Sequence, residues 1–135
     1  MQGLLSDVNI QGHVQALARI LESPDWRDVW QYLKLTLRTF RDVGLPPYAP
    51  DSLVWRTCQE QQLVLLTANR NDDGPESLEA AIRGDSTPTS LPVFTVADPE
   101  RVATSREYAT RVVERMLVSL LDIDRVRGTG RLYLP

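Results

Sequence analysis

Short apolar runs recur along the chain, and their patterns predict strands. Residues 63–67, LVLLT, form a continuous run of the kind found in a strand that is buried on both faces. Residues 33–40, LKLTLRTF, alternate apolar and polar side chains, which is typical of a strand near the edge of a sheet. Further strands are predicted at 3–7, 91–96 and 131–135.

Between these runs the apolar residues follow helical spacing. Helices are predicted at about 10–22, 25–32, 51–61, 75–84 and 99–121. Strands that alternate with helices indicate an α/β fold with a mainly parallel sheet. No internal repeat or composition break divides the chain, so we expect residues 1–135 to form a single domain.

Composition narrows the classes of function. A net charge of −3 argues against a protein that coats nucleic acid generally, although fourteen of the fifteen basic residues are arginine. One cysteine, Cys58, and one histidine, His13, disfavour disulfides and zinc sites built from those residues. No apolar run is long enough to span a bilayer and the first residues lack signal-peptide features, so we expect a cytoplasmic protein without a membrane partner.

Acids and amides are predicted to meet at one edge of the sheet. Asp7 ends the first strand, Asp51 begins the helix at 51–61, and residues 69–73, NRNDD, follow the strand LVLLT. Because parallel strands end at the same edge, these oxygen atoms could bind Mg²⁺ or Mn²⁺. Structural alternatives stay open, since Asp7 and Asp51 also suit helix caps or turns and asparagine suits left-handed turns.

Three stretches resemble the PIN-like superfamily, and more narrowly its compact stand-alone branch related to VapC-type toxin nucleases. They are LLSDVNI near the start, APDSLVWRTCQEQQLVLLTANRN in the middle, and LPVFTV after it. The matching positions are Asp7 after strand one, Asp51 at a helix start, and the loop after Thr67. The chain departs from the pattern at Asn69 and Asn71, where active members usually carry acids.

The resemblance implies a three-layer α/β/α fold and a ribonuclease that uses Mg²⁺ or Mn²⁺. Carried over, it makes Asp7, Asp51 and Asp72 the metal carboxylates, with the asparagines at 69 and 71 completing the site. Asn9 and Arg70 are the candidate substrate contacts. It also implies RNA as substrate, an antitoxin or other protein as partner, and a homodimer as an assembly to test.

Two interpretations of the loop therefore stay open. In the first, Asn69 or Asn71 supplies a neutral amide ligand and Asp72 or Asp73 supplies the missing negative charge. In the second, the metal site is degenerate, and the loop binds RNA or a protein through hydrogen bonds from Asn69, Arg70 and Asn71. A lost carboxylate matters because a dication needs opposing charge to offset its desolvation.

Other features are weaker indicators. His13 on the first helix is interpreted as a partly buried structural residue, and Cys58 as an inert core thiol. Arg125, Arg127 and Arg131 cluster near the last strand, where they either line a substrate groove or form a solvated tail.

Overall fold

Five parallel strands form one sheet in the computed structural model, which describes residues 1–70 and 74–135. The strands lie in the order β2-β1-β3-β4-β5, and every neighbouring pair is parallel. Their bounds are β1 Gly3–Ser6, β2 Thr36–Arg38, β3 Leu63–Thr67, β4 Val93–Val96 and β5 Arg131–Leu134. The predicted α/β class with a parallel central sheet is confirmed.

Helices cover both faces of this sheet. They are α1 Gln11–Leu21, α2 Arg27–Leu33, α3 Asp51–Gln61, α4 Leu78–Asp85, α5 Pro99–Thr104, α6 Arg106–Leu121 and α7 Ile123–Val126. One core lies between the sheet and α1, α5 and α6; the other lies between the sheet and α3 and α4. Within the described ranges, no helix is both long enough and apolar enough to cross a bilayer.

Burial on both faces explains the continuous apolar runs. Leu65 packs into the core beneath α3 and α4, while Leu66 packs into the core beneath α1 and α6. Val93 and Phe94 on β4 divide in the same way, because successive side chains of a strand point to opposite faces. Both central strands therefore carry apolar residues on each face, except at the buried Thr67 and Thr95.

The strand predicted at 33–40 does lie at the edge of the sheet, but it is much shorter than predicted. β2 has only three residues, Thr36–Arg38, and it is an edge strand paired with β1 alone. Leu33 instead ends α2, and Lys34 follows it in the left-handed conformation with a φ of 54°. The helix therefore takes residues that the alternating pattern had assigned to the strand.

Two of the predicted helices also have different bounds in the structure. The helix expected over 99–121 is two helices, because Ser105 is extended and its hydroxyl accepts a hydrogen bond from the Tyr108 N–H at 3.1 Å. The helix expected over 75–84 begins at Leu78, after Ser77 has capped it by accepting from the Ala80 N–H. In both cases a serine N-cap decides where the helix begins.

The strand order reverses direction between β1 and β3. From β1 the chain moves outward to β2 on one side, then returns past β1 and continues through β3, β4 and β5 on the other. In open parallel sheets of this kind, ligands bind in the crevice at the carboxyl ends of the two strands that flank such a reversal. Residues that follow β1 and β3 are consequently the first place to look for a site.

The pairing of β1 with β2 depends on a glycine, which gives a testable prediction. A Cβ at Gly3 would lie 2.2 Å from the backbone oxygen of Thr36, whereas a Cβ at Gly12 in α1 would meet no atom within 4 Å. We expect Gly3→Ala to lower the free energy of unfolding by about 1–3 kcal/mol, as overpacking does. The matched control Gly12→Ala should raise it by roughly 0.5–1 kcal/mol, since alanine favours helix. Urea titrations of both variants test this, and an unchanged midpoint for Gly3→Ala would contradict the observed register.

Candidate functional site

The carboxyl ends of β1 and β3 are joined by one hydrogen bond between side chains. Asp7 is the first residue after β1, and Thr67 is the last residue of β3. The fully buried Thr67 hydroxyl donates to Asp7 Oδ2 at 2.6 Å. The other oxygen, Asp7 Oδ1, accepts from the backbone N–H of Asn9 at 3.4 Å and caps the short 3-10 turn Val8–Ile10.

The same threonine also fixes the loop after β3. Its hydroxyl oxygen accepts a hydrogen bond from the Asn69 N–H at 2.9 Å. The Asn69 side chain then reaches α3, where its amide nitrogen donates to Asp51 Oδ2 at 2.9 Å. Because a carboxylate can only accept, this contact directs the amide nitrogen of Asn69 at Asp51 and turns the amide oxygen away from it.

Asp51 is a helix residue rather than a cap. Pro50 occupies the N-cap position of α3 and Asp51 is the first helical residue. α3 begins at the carboxyl edge of the sheet, which is why its first side chain can meet residues that follow β1 and β3. A carboxylate in the first turn is also favoured by the helix dipole.

Asp7, Asp51 and Asn69 line one small cavity of about 60 Å³. Val8, Phe40, Val54 and Leu78 are among the residues that form its walls. Polar side chains from three distant segments thus meet at the crevice between β1 and β3, next to apolar side chains. This volume suits a metal ion with a few waters rather than a large organic ligand.

Asp7 and Asp51 could take part in binding one hard cation. A carboxylate oxygen has two lone pairs and each carboxylate has two oxygens, so the bonds from Thr67 and Asn69 leave Asp7 and Asp51 able to bind an ion. Mg²⁺ is typically held by one or two carboxylates together with water and substrate phosphate. Among residues 1–70 and 74–135 there is no group of three or more acids, histidines or cysteines that could hold a metal.

The remaining predicted site residues divide into two groups. Asn9 lines the small cavity, and Arg70 is exposed directly after Asn69. Asn71 and Asp72, together with Asp73, lie outside the described residues. The proposed contribution of Asp72 to the charge of the site therefore stays a prediction.

A buried arginine, whose role the sequence did not reveal, holds the backbone of Asn69 in place. The Arg131 side chain, only 7% exposed, donates through Nη1 to the Asn69 carbonyl oxygen and to the Thr95 hydroxyl, each at 2.7 Å. Its Nε donates to Glu79 Oε1 at 2.7 Å, which supplies the opposing charge from α4. Its Nη2 is buried and has no hydrogen-bond partner.

Arg131 is thus neither part of a solvated tail nor on a groove surface, and both interpretations offered for it are wrong. Its strand register shows why: Arg131 pairs with Val93, whose side chain enters the core beneath α3 and α4. The available signal was a lone arginine at an inward position of a predicted strand, opposite a helix that carries Glu79. Without the strand order, that signal could not be connected to Asn69.

A second and larger cavity opens beside the first. It measures about 420 Å³ and shares Asp7, Asn9 and Asn69 with the small cavity. His13 from α1 and Glu100 from α5 also line it. His13 is half-buried, as predicted, and its Nδ1 is buried without a hydrogen-bond partner.

Comparison with known protein families, with curated proteins and with solved structures finds no match for this chain. The fold and the geometry described above are therefore established independently of any relative. The resemblance to PIN-like nucleases rests on the sequence stretches that carry it, and it stays a prediction.

The contact between Asn69 and Asp51 leads to a prediction about charge. In Asn69→Asp, two carboxylates would face each other where an N–H now donates, so one hydrogen bond is lost and like charges repel. We expect the free energy of unfolding at pH 8 in EDTA to fall by about 1–3 kcal/mol. Because repulsion raises the pKa of the pair, stability should return as the pH falls and the pair takes up a proton.

Asn9→Asp is the matched control, since it adds the same charge to the same cavity and keeps the backbone hydrogen bond to Asp7. Its loss of stability should be clearly smaller. Thermal unfolding of both variants between pH 5 and pH 8 measures the difference. Equal losses at every pH would mean that net charge, and not the Asn69–Asp51 contact, controls stability here.

Cys58 leads to a second prediction. Its side chain on α3 is 1% exposed, and burial, followed by the negative charge of Asp7, raises the pKa of the thiol from 9.0 to about 12. We expect a disulfide reagent such as DTNB to leave the folded protein unlabelled at pH 8 and to label it once guanidinium has unfolded it. Since the pKa is higher in the folded state, this thiol should also weaken folding as the pH rises from 9 toward 12. Rapid labelling of the native protein would show that the thiol is accessible.

Proposed function

We propose that this chain is a ribonuclease that hydrolyses phosphodiester bonds with one Mg²⁺ or Mn²⁺ held by Asp7 and Asp51. The observation that supports it is the meeting of these two carboxylates in one cavity, at the crevice where the strand order reverses. RNA as the substrate follows from the resemblance to PIN-like toxin nucleases.

Each residue of the site has a distinct part in this proposal. Asp7 and Asp51 provide the negative charge that binds the ion. When bound, the ion would activate a water molecule and offset the charge that develops at the phosphate. Thr67 orients Asp7 by donating to one of its oxygens, and Asn69 orients Asp51 in the same way. In this proposal, Asn9 from the cavity wall and the exposed Arg70 contact the RNA.

Arg131 acts on the site through Asn69. Its guanidinium holds the carbonyl oxygen of Asn69 and so fixes the backbone from which the amide reaches Asp51. It is a positioning residue rather than a catalytic one, because none of its hydrogen bonds is made to Asp7 or Asp51.

One observation favours a second candidate function, a non-catalytic PIN-like module that binds RNA or a protein such as an antitoxin. The Asn69 amide already occupies Asp51 Oδ2, an oxygen that an active metal site would use. With an amide where an acid is usual, the site carries less charge to attract a dication. The two candidates differ in whether metal ions stabilise the protein.

The test compares wild type with Asp7→Asn in thermal unfolding with and without metal. A ligand that binds only the native state stabilises it by mass action, by about 2.7 kcal/mol at a hundred times its dissociation constant. We expect millimolar Mg²⁺ or Mn²⁺ to raise the melting temperature of the wild type and to leave Asp7→Asn unchanged. Cleavage of RNA should be lost in the same variant, which keeps the shape of the side chain and removes its charge.

Asp28→Asn provides the matched control, because Asp28 is an exposed acid on α2 that lines neither cavity. It should respond to metal as the wild type does. If about 10 mM metal leaves the wild type unshifted, the binding module becomes the better description. Cleavage by Asp7→Asn at the wild-type rate would mean that the nuclease lies elsewhere or is a contaminant.

A further inference from the structure

Two helices leave the carboxyl edge of the sheet side by side. α1 follows β1 and α5 follows β4, and the two pack against each other above the same core. Ile10 and His13 at the start of α1 face the large cavity together with Pro99 and Glu100 at the start of α5. The seam between α1 and α5 therefore begins beside Asp7.

A further cavity of about 210 Å³ lies along the same seam. It is lined from α1 by Ala16 and Arg19, from α5 by Val102 and Thr104, and from the start of α6 by Arg106. At 1.5 Å per residue, Arg19 is about 9 Å further along α1 than His13. The large cavity and the cavity of about 210 Å³ thus open one after the other along the seam, and the large one is lined by the candidate site residue Asp7.

The charges at the two ends of the seam differ in sign. Asp7 and Glu100 line the large cavity, and the described residues that line it include no lysine or arginine. Arg19 and Arg106 are exposed and line the cavity of about 210 Å³. Within the part of the chain that the structure describes, neither arginine makes an ion pair.

We propose that this seam binds single-stranded RNA, with a backbone phosphate between Arg19 and Arg106 and a nucleoside unit in the cavity beside Asp7. The proposal rests on the proposed function, since it assumes that the scissile phosphate lies at Asp7 and Asp51. It adds the direction of the strand across the protein and the residues that bind it away from the reaction.

Each cavity has side chains suited to the RNA group that the proposal places in it. Two unpaired guanidinium groups beside the Thr104 hydroxyl are suited to a phosphate, which arginine binds with two parallel hydrogen bonds. The large cavity is lined by Asp7 and Glu100 and therefore disfavours any phosphate other than the scissile one, whose charge the bound metal ion would offset. The amide of Asn9 there is suited to the polar edge of a base, which single-stranded RNA can present because its bases are unstacked.

Binding in EDTA tests the seam without any need for catalysis. The probe is a fluorescein-labelled oligouridylate of about eight nucleotides, a length within the usual range for single-strand sites. Each phosphate contact contributes about 0.7 to the slope of log K against log salt concentration for single strands. We expect Arg19→Gln with Arg106→Gln to weaken binding at low salt and to reduce the magnitude of that slope by about 0.7, the contribution of the one phosphate between them.

Arg56→Gln is the control, because Arg56 is an exposed arginine on α3, in the opposite helical layer. It should keep the wild-type slope. A double variant with the wild-type slope, or a wild type that does not bind the probe, would overturn the proposal. Competition by polyglutamate as strong as by unlabelled RNA would also overturn it, since the ligand would then be an acidic protein segment.

The experiments distinguish two outcomes, one in which RNA does not bind along the seam and one in which the protein is not a nuclease. Cleavage with an unchanged salt slope in the double variant leaves the nuclease in place and removes the seam. Binding that depends on Arg19 and Arg106, without metal-dependent cleavage, retains the seam and supports the non-catalytic module.

Discussion

The candidate site depends on one buried hydroxyl group. The Thr67 side chain donates to Asp7 and at the same time accepts from the backbone of Asn69, so a single oxygen joins the end of β1 to the loop after β3. A hydroxyl can do this because it is both donor and acceptor. Valine has the same shape without either function, so no apolar residue of similar size could hold the two segments together.

Around this hydroxyl, the sheet face that packs against α3 and α4 changes from apolar to polar. On the face covered by α3 and α4, the apolar side chains of Leu65 and Val93 are followed toward the carboxyl edge by Thr67 and Thr95. The Arg131 guanidinium donates to the Thr95 hydroxyl and to the Asn69 carbonyl oxygen. A buried guanidinium is tolerated there because Glu79 neutralises it and polar oxygens accept from its Nε and Nη1.

The sequence predicts local elements well where one signal is unopposed. β3 and α3 have the predicted bounds, because an uninterrupted apolar run and a proline before an amphipathic stretch are strong and agree with the tertiary fold. The break at Ser105 was missed because the apolar spacing continues through it. The meeting of Asp7, Asp51 and Asn69 could be predicted from strand ends, whereas the direct bond between the amide of Asn69 and Asp51 could not. Side-chain pairing of that kind depends on the angle of α3 against the sheet, which no local pattern specifies.

The placement of Arg131 has a consequence for the order in which the protein matures. A ribosome adds residues one after another, and early segments begin to fold while later ones are still being made. Asp7, Asp51 and Asn69 are all synthesised well before Arg131, whose guanidinium holds the Asn69 backbone in place. Until β5 has been made and has paired with β4, Asp7 and Asp51 are present but the Asn69 carbonyl oxygen lacks its hydrogen bond from Arg131. The final geometry of this cavity is therefore reached only late in biosynthesis, after nearly all of the described chain has been made.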